Sequence, residues 1–356
     1  MGNVTNGNVG IYEPRSMSKS FDKNMPVTTF LRDMFFGAVN TFTTKKVDMD
    51  FRKGKYLTAP FVAPNVSGIN VERTGYKTNE YEPPTIAISR PITEEMLNDR
   101  QMGETIHTTL SPEDRQQAII DKDMLEMDNM ITRREELMCS ELLSNGIINV
   151  RGYLDDNLEN YIDDNIDYGF GQKTTLETTE KWDESTSKKM DDIKSAVRQV
   201  RKAGYNPGAI ILGTDAYDLL EADEDFRKLL DIRNFSIGEL NPQLSFENGN
   251  GYTFAGILKG LNLPIYIYEA WYQTIGGTVS SIYPTDHFTV APKNLGEMLY
   301  GAITQLEEDK RFHTYEGTRV PKIITNVSDD VLKHRLSSKP MPKPWDINSW
   351  ATYKVV

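Results

Sequence analysis

The sequence predicts an α+β subunit with two packed cores and one element that cannot bury its own surface. Three observations carry this reading. A helical stripe runs from Pro112 to Leu143, about 48 Å of continuous helix at 1.5 Å per residue. A regular alternation of helix and short apolar strand follows between Asp191 and Tyr268. Ahead of both, a polar stretch between two strand-like segments offers almost nothing to a core.

In chain order, residues 1–20 are rich in Asn, Gly and Ser without periodicity and read as a flexible arm. Phe30, Leu31, Met34, Phe35 and Phe36 cluster on a short helix that ends near Gly37, a core anchor. Val47 to Phe51 alternates as a strand with one buried face. Alternation returns at Ile69 and Val71 and again at Ile86 and Ile88. The polar Thr74–Pro84 stretch between them reads as the tip of a long hairpin spanning about Tyr56 to Arg100. A lone two-stranded ribbon is marginal in water, so it is expected to lie on a neighbour. Arg73, Lys77, Glu80 and Glu82 are the candidate interface residues, because charges set register and partner choice.

The long helix has its start written in Ser111-Pro112-Glu113-Asp114: a capping hydroxyl, a proline for the first turn, and acids for the positive end of the dipole. Ile120, Met124, Met127, Ile131, Met138 and Leu142 form its stripe, read as core packing and not a ligand groove, and Asn145-Gly146 closes it. Residues 151–184 hold ten acidic and three basic residues interleaved with aromatics, an exposed excursion on this reading. Beyond it, Ile193, Ala196, Val197 and Val200 mark a helix closed by Gly204, Ala209–Leu212 a buried strand, and Thr214 the cap of a helix through Leu220. Further strands fall at Leu263–Tyr268 and Phe288–Val290, with Gly276-Gly277 turning a hairpin between Tyr272 and Ile282. Lys339–Pro344 reads as an extended proline-rich link between two late strands. The divisions are therefore 1–20 arm, 21–54 first part of one domain, 55–100 hairpin, 101–150 long helix, 151–184 acidic excursion, 185–300 α/β domain and 301–356 returning strands.

The chemistry is sparse. A net charge of −12 argues against a protein whose work is gripping nucleic acid. No apolar run approaches the roughly 20 residues of a membrane span. Phosphate loops, HExxH and GxSxG are absent, and the four histidines are scattered. Cys139 beside Met138 is a structural thiol, and the Asp163/Asn165/Asp167 alternation fails as a calcium loop because Tyr168 and Thr174 occupy key positions. No cofactor, metal or catalytic residue is expected. An oligomeric α/β enzyme is the weaker alternative.

Phe30–Phe36 followed by Thr41–Val47, then Val62–Gly68, Ile210–Tyr217, Tyr283–Val290 and Leu299–Gly301, resemble, in order, the lambda-type major capsid protein E family of tailed phages. The resemblance implies the Hong Kong 97-type capsid fold. In it a peripheral domain carries the spine helix, an axial domain carries the α/β segment, and an extended loop embraces the next subunit. It further implies pentamers and hexamers of an icosahedral shell around double-stranded DNA, in a virion assembled in the bacterial cytoplasm. Partners would be other copies, a scaffold supplied separately (only a short arm precedes the first helix), a portal at one vertex and a decoration protein. No membrane and no covalent cross-link are expected. A nanocompartment shell of the same fold is the second structural reading.

Overall fold

The computed structural model describes residues 27–51, 58–62, 64, 70, 77–98, 111–155, 157–231, 251–307, 310–326 and 331–356. The N-terminal arm, Ile69, Val71, Arg73 and the side chain of Lys77 lie outside that description. The described residues form two compact units. One is Ile86–Ile131 with Arg319–Ser338; the other is Thr28–Thr85, Thr132–Thr318 and Lys339–Val356.

The smaller unit packs a three-stranded antiparallel sheet on the first half of the long helix. Strand Val331–Ser338 lies centrally, between Val320–Asn326 and Ile86–Ile92. Ile86, Ile88 and Leu336 meet Met124, Met127 and Ile131 of the helix, as the stripe predicted. Arg90 Nη1 bridges Asp123 and Glu126, at 2.6 Å from each, and Arg319 Nε holds Asp128 at 2.6 Å. The helix itself runs Pro112–Asn145. At its start the Asp114 amide donates to Ser111 Oγ (3.1 Å) while the Ser111 amide donates to the Asp114 carboxylate (3.2 Å), a reciprocal cap. At its end Gly146 takes φ of 72°, and a Cβ there would collide with Phe170.

The larger unit is organised by a seven-stranded sheet. Its order is Lys173–Thr175, Ala351–Lys354, His287–Ala291, Ala209–Leu212, Leu263–Tyr268, Tyr252–Leu258 and Leu230–Asp231. Alternation explains why Ala209–Leu212 is apolar throughout. Ala209 and Ile211 enter one core with Tyr266 and Tyr268, while Ile210 and Leu212 enter another with Ile265 and Phe288. The second core is roofed by helix Lys189–Lys202, whose Ile193, Ala196, Val197 and Val200 are all buried. Gly213 has no room for a side chain against the Pro284 and Thr285 carbonyls, so two segments 71 residues apart in sequence meet there. Thr214 does not cap the next helix as expected: Gly213 takes the cap position and Thr214–Glu221 is helical.

Three expectations need correction. The Lys339–Pro344 segment is not a link. Pro340–Pro344 is the edge strand of a second sheet, with Gly296–Gly301 central and Ala38–Phe42 on the far side. Prolines at every second position leave the intervening amides for the ladder, and the missing N–H groups all fall on the outer edge. The 151–184 excursion is only half an excursion. Tyr161–Asp167 pairs back onto Ile147–Tyr153 as an exposed ribbon, but Ile166, Tyr168, Leu176 and Trp182 are buried and Lys173–Thr175 completes the large sheet. Aromatics spaced among acids concealed a core contribution. The third concerns the hairpin. Lys77–Tyr81 is not a tip but a strand paired with Val47–Phe51, and Ile86–Ile92 belongs to the smaller unit's sheet. The chain connecting the paired strands is therefore residues 52–76.

Candidate assembly interface

The strand pair Val47–Phe51 and Lys77–Tyr81 has the form of a stem, and its base is rooted by one buried tyrosine. Tyr81 stacks on Tyr168 with ring centroids 5.2 Å apart, and its hydroxyl donates to the Asp167 carbonyl at 3.0 Å. Tyr168 is buried and donates its own hydroxyl to the Pro342 carbonyl at 2.7 Å. That bond satisfies an acceptor on the outer side of the proline edge strand, where no further strand pairs among the described residues. One side chain thus closes a sheet edge and supports the stem.

Upstream of the stem, a second device fixes the chain. Helix Phe30–Phe35 begins over Glu136, a residue of the long helix with no exposed surface. The Leu31 and Arg32 amides donate to its two carboxylate oxygens at 2.7 and 3.0 Å, and Tyr268 Oη donates at 2.8 Å. A carboxylate at a helix start satisfies orphan amides and meets the positive end of the dipole. Beside it, Arg32 Nη1 lies 3.0 Å from Glu135. Phe30 stacks on Tyr252 at 3.9 Å, so the short helix is pinned from both flanks. Desolvation dominates the electrostatics: burial raises the Glu136 carboxyl from 4.5 to about 7, against the lowering effect of the three donors and Arg32.

That shift has a signed consequence. Between the ordinary and the raised value the folded subunit retains a proton that the unfolded chain releases. Stability from this group is therefore complete below about pH 4.5 and lost as pH climbs through about 7. In Glu136→Gln the titration is absent, while an amide nitrogen must face one of the two donor amides. We expect the variant to be destabilised by about 1–3 kcal/mol at pH 5. The gap to wild type should narrow by roughly 2–3 kcal/mol by pH 8. Urea melts of unassembled subunit at both pH values check this; a constant gap would refute the assignment.

Of the four residues proposed from sequence, Lys77 and Glu80 fall in the stem strand Lys77–Tyr81, and Glu82 directly follows it. Glu80 sits 2.6 Å from Lys46 Nζ and Glu82 3.3 Å from Lys45 Nζ, both pairs exposed. Sequence reasoning missed Arg32, Glu135, Glu136 and Tyr168. The signal was present in two adjacent glutamates directly before Leu137-Met138 on the core stripe, where acids need a reason to be. Asp163, Asn165 and Asp167 lie in a strand, with Asp163 bonded to Arg151 at 2.7 Å. Cys139 is buried, 3.8 Å from Met298 Sδ, and burial pushes its thiol up, away from nucleophilic use. Among the described residues no cluster of metal-ligating side chains occurs, and no helix is long and apolar enough to cross a membrane.

The family profile described as "Phage major capsid protein E" matches residues 13–355. The chain belongs to this family. The major capsid protein of Escherichia phage lambda is 24% identical over 237 residues, covering 67% of this chain and 68% of the lambda protein. The crystal structure described as a prophage capsid protein from E. coli CFT073 superposes with a TM-score of 0.65 at 21% identity, covering 96% and 97% of the two chains. A structure from Gordonia phage Cozz reaches 0.50 at 10% identity, over 97% and 92%. The fold is the Hong Kong 97 type, and the subunit is a phage major capsid protein, a structural shell protein whose place is the virion. Of the two shell readings, phage head and nanocompartment, the family match supports the first.

Proposed function

We propose that this capsid subunit forms the pentamers and hexamers of a head that encloses double-stranded DNA, and that its stem carries an arm across the neighbouring subunit. The observation that carries the proposal is the strand pair Val47–Phe51/Lys77–Tyr81, rooted on Tyr168 and leaving residues 52–76 as the connection. Arg73, Lys77, Glu80 and Glu82 would set the register of that arm. Exposed ion pairs such as Glu80–Lys46 are worth little singly, so exchanging them for a neighbour's charges costs little. The net charge of −12 suits a wall that must not trap DNA during filling. A separate scaffold, a portal at one vertex, a decoration protein and assembly in the bacterial cytoplasm complete the reading. The experiment is negative-stain microscopy of the protein expressed alone and with its genomic neighbours. Capsomers or tubes alone and closed, uniform heads with the neighbours are expected; a strictly monomeric protein under both conditions would overturn the proposal.

A further inference from the structure

The hairpin turned by Gly276-Gly277 has no part in the reading above, and one of its faces is bare. Its strands Trp271–Gln273 and Val279–Ser281 pair antiparallel, Trp271 opposite Ser281 and Gln273 opposite Val279. Two hydrogen bonds fix its root. The Ile282 amide donates to the Ala270 carbonyl at 2.9 Å, and Ser140 Oγ on the long helix donates to the Ile282 carbonyl at 2.8 Å. Tyr272 packs against the core, so alternation puts Trp271, Gln273 and Val279 on the opposite face. There Trp271 is 54% exposed and Val279 60%, and Ile275 at the turn is 77% exposed.

This surface is rigid and uncharged. The Thr274 amide donates to the Thr278 carbonyl at 2.9 Å, and the Thr278 amide donates back to Thr274 Oγ1 at 3.2 Å. Gly277, at a φ of 87°, donates its amide to the Thr274 carbonyl (2.9 Å) and accepts from Gln273 Nε2 (3.1 Å). A turn closed in this way loses little freedom when it docks. Charged residues make up 26% of the chain, yet none stands between Ala270 and Thr285. Nucleic acid, which needs cations, finds none here, and a partner selected by charge finds nothing to select. A second copy is the partner that gains from their absence, since two chains of net charge −12 repel wherever their acidic faces meet. About a two-fold axis the same patch meets itself, and an apolar, uncharged patch is its own complement. Its area, on the order of a few hundred Å², falls short of the roughly 800 Å² per side of a stable pair, so it serves where a shell repeats it.

We infer that this hairpin face meets the same face of a second copy, with Trp271, Ile275 and Val279 as the anchors. The contact rests on the shell reading, and its test has two parts. Ile275→Lys with Val279→Lys, and separately Ile275→Glu with Val279→Glu, should each lower head yield on a gradient about tenfold with subunit melts unchanged, because like charges then face each other. Co-expressing the two variants should restore most of the yield. Normal yield from either pair, a lowered melt, or no restoration overturns the contact. In the second part Val279→Cys supplies a thiol for maleimide labelling, the native Cys139 being buried. Labelling should be fast in dilute subunit and slowed severalfold in concentrated or assembled protein expressed alone. Such protection supports the contact whether or not heads close, which separates its fate from that of the shell reading. Undiminished labelling, or protection only once a decoration protein is added, overturns it.

Discussion

Replacing residues 57–72 with a short Gly–Ser bridge should leave the subunit folded and lower the yield of closed heads by about two orders of magnitude, because each repeated contact is lost at once. The stem survives this deletion, since Val47–Phe51 and Lys77–Tyr81 remain joined and Tyr81 remains stacked on Tyr168. No described core residue falls in the removed interval. The melt of the unassembled variant should therefore stay within ~2 °C of wild type, the shift that a loss of about 1 kcal/mol would produce in a unit of this size. Sedimentation and the thermal melt are measured on the same preparation. Normal heads would refute the arm, and a collapsed melt would place those residues in the subunit's own core.

The second large effect is expected at Tyr168. Tyr168→Phe keeps the stack on Tyr81 and removes only the donor to Pro342, orphaning a buried carbonyl at a cost of about 1–3 kcal/mol. Tyr168→Ala also empties an aromatic-sized volume in the core, and large buried aromatics truncated to alanine typically cost about 3–5 kcal/mol before the lost hydrogen bond is counted. Alanine should therefore unfold at clearly lower urea than phenylalanine, and heads should be scarce because the stem has lost its footing. An alanine variant within 1 kcal/mol of phenylalanine would remove Tyr168 from its proposed place.

What could be read from residues alone divides along physical lines. The long helix was legible because Ser111, Pro112 and Asp114 act locally and the stripe from Ile120 to Leu142 has helical period. Ala209–Leu212 was legible because only a strand covered on both faces reads as an unbroken apolar run. The partner of Val47–Phe51 was not, since pairing with Lys77–Tyr81 is decided across a long connection by residues too polar to signal burial. Tyr168 and Trp182 were hidden by the carboxylates around them, although each is among the most buried side chains in the chain. Glu135 and Glu136 could be noticed as acids on a core stripe, but their partners on Phe30–Phe35 and at Tyr268 depend on tertiary placement alone. The prolines of Pro340–Pro344 suggested a spacer because proline is rare in strands, and the alternation that permits an edge position was overlooked.

That alternation bears on how a shell protein survives its own abundance. A shell is built from many copies of one chain, and each new chain passes through states in which its sheets are not yet roofed. An exposed strand edge in such a state recruits the edge of a sister chain and starts an aggregate. Here the outer edge of Pro340–Pro344 has carbonyls but no amide hydrogens to offer, so a sister strand laid against it would form half a ladder at best. Before Tyr168 has arrived to close that edge, the prolines already make it a poor template, and chains are left to meet one another only through the surfaces that build a head.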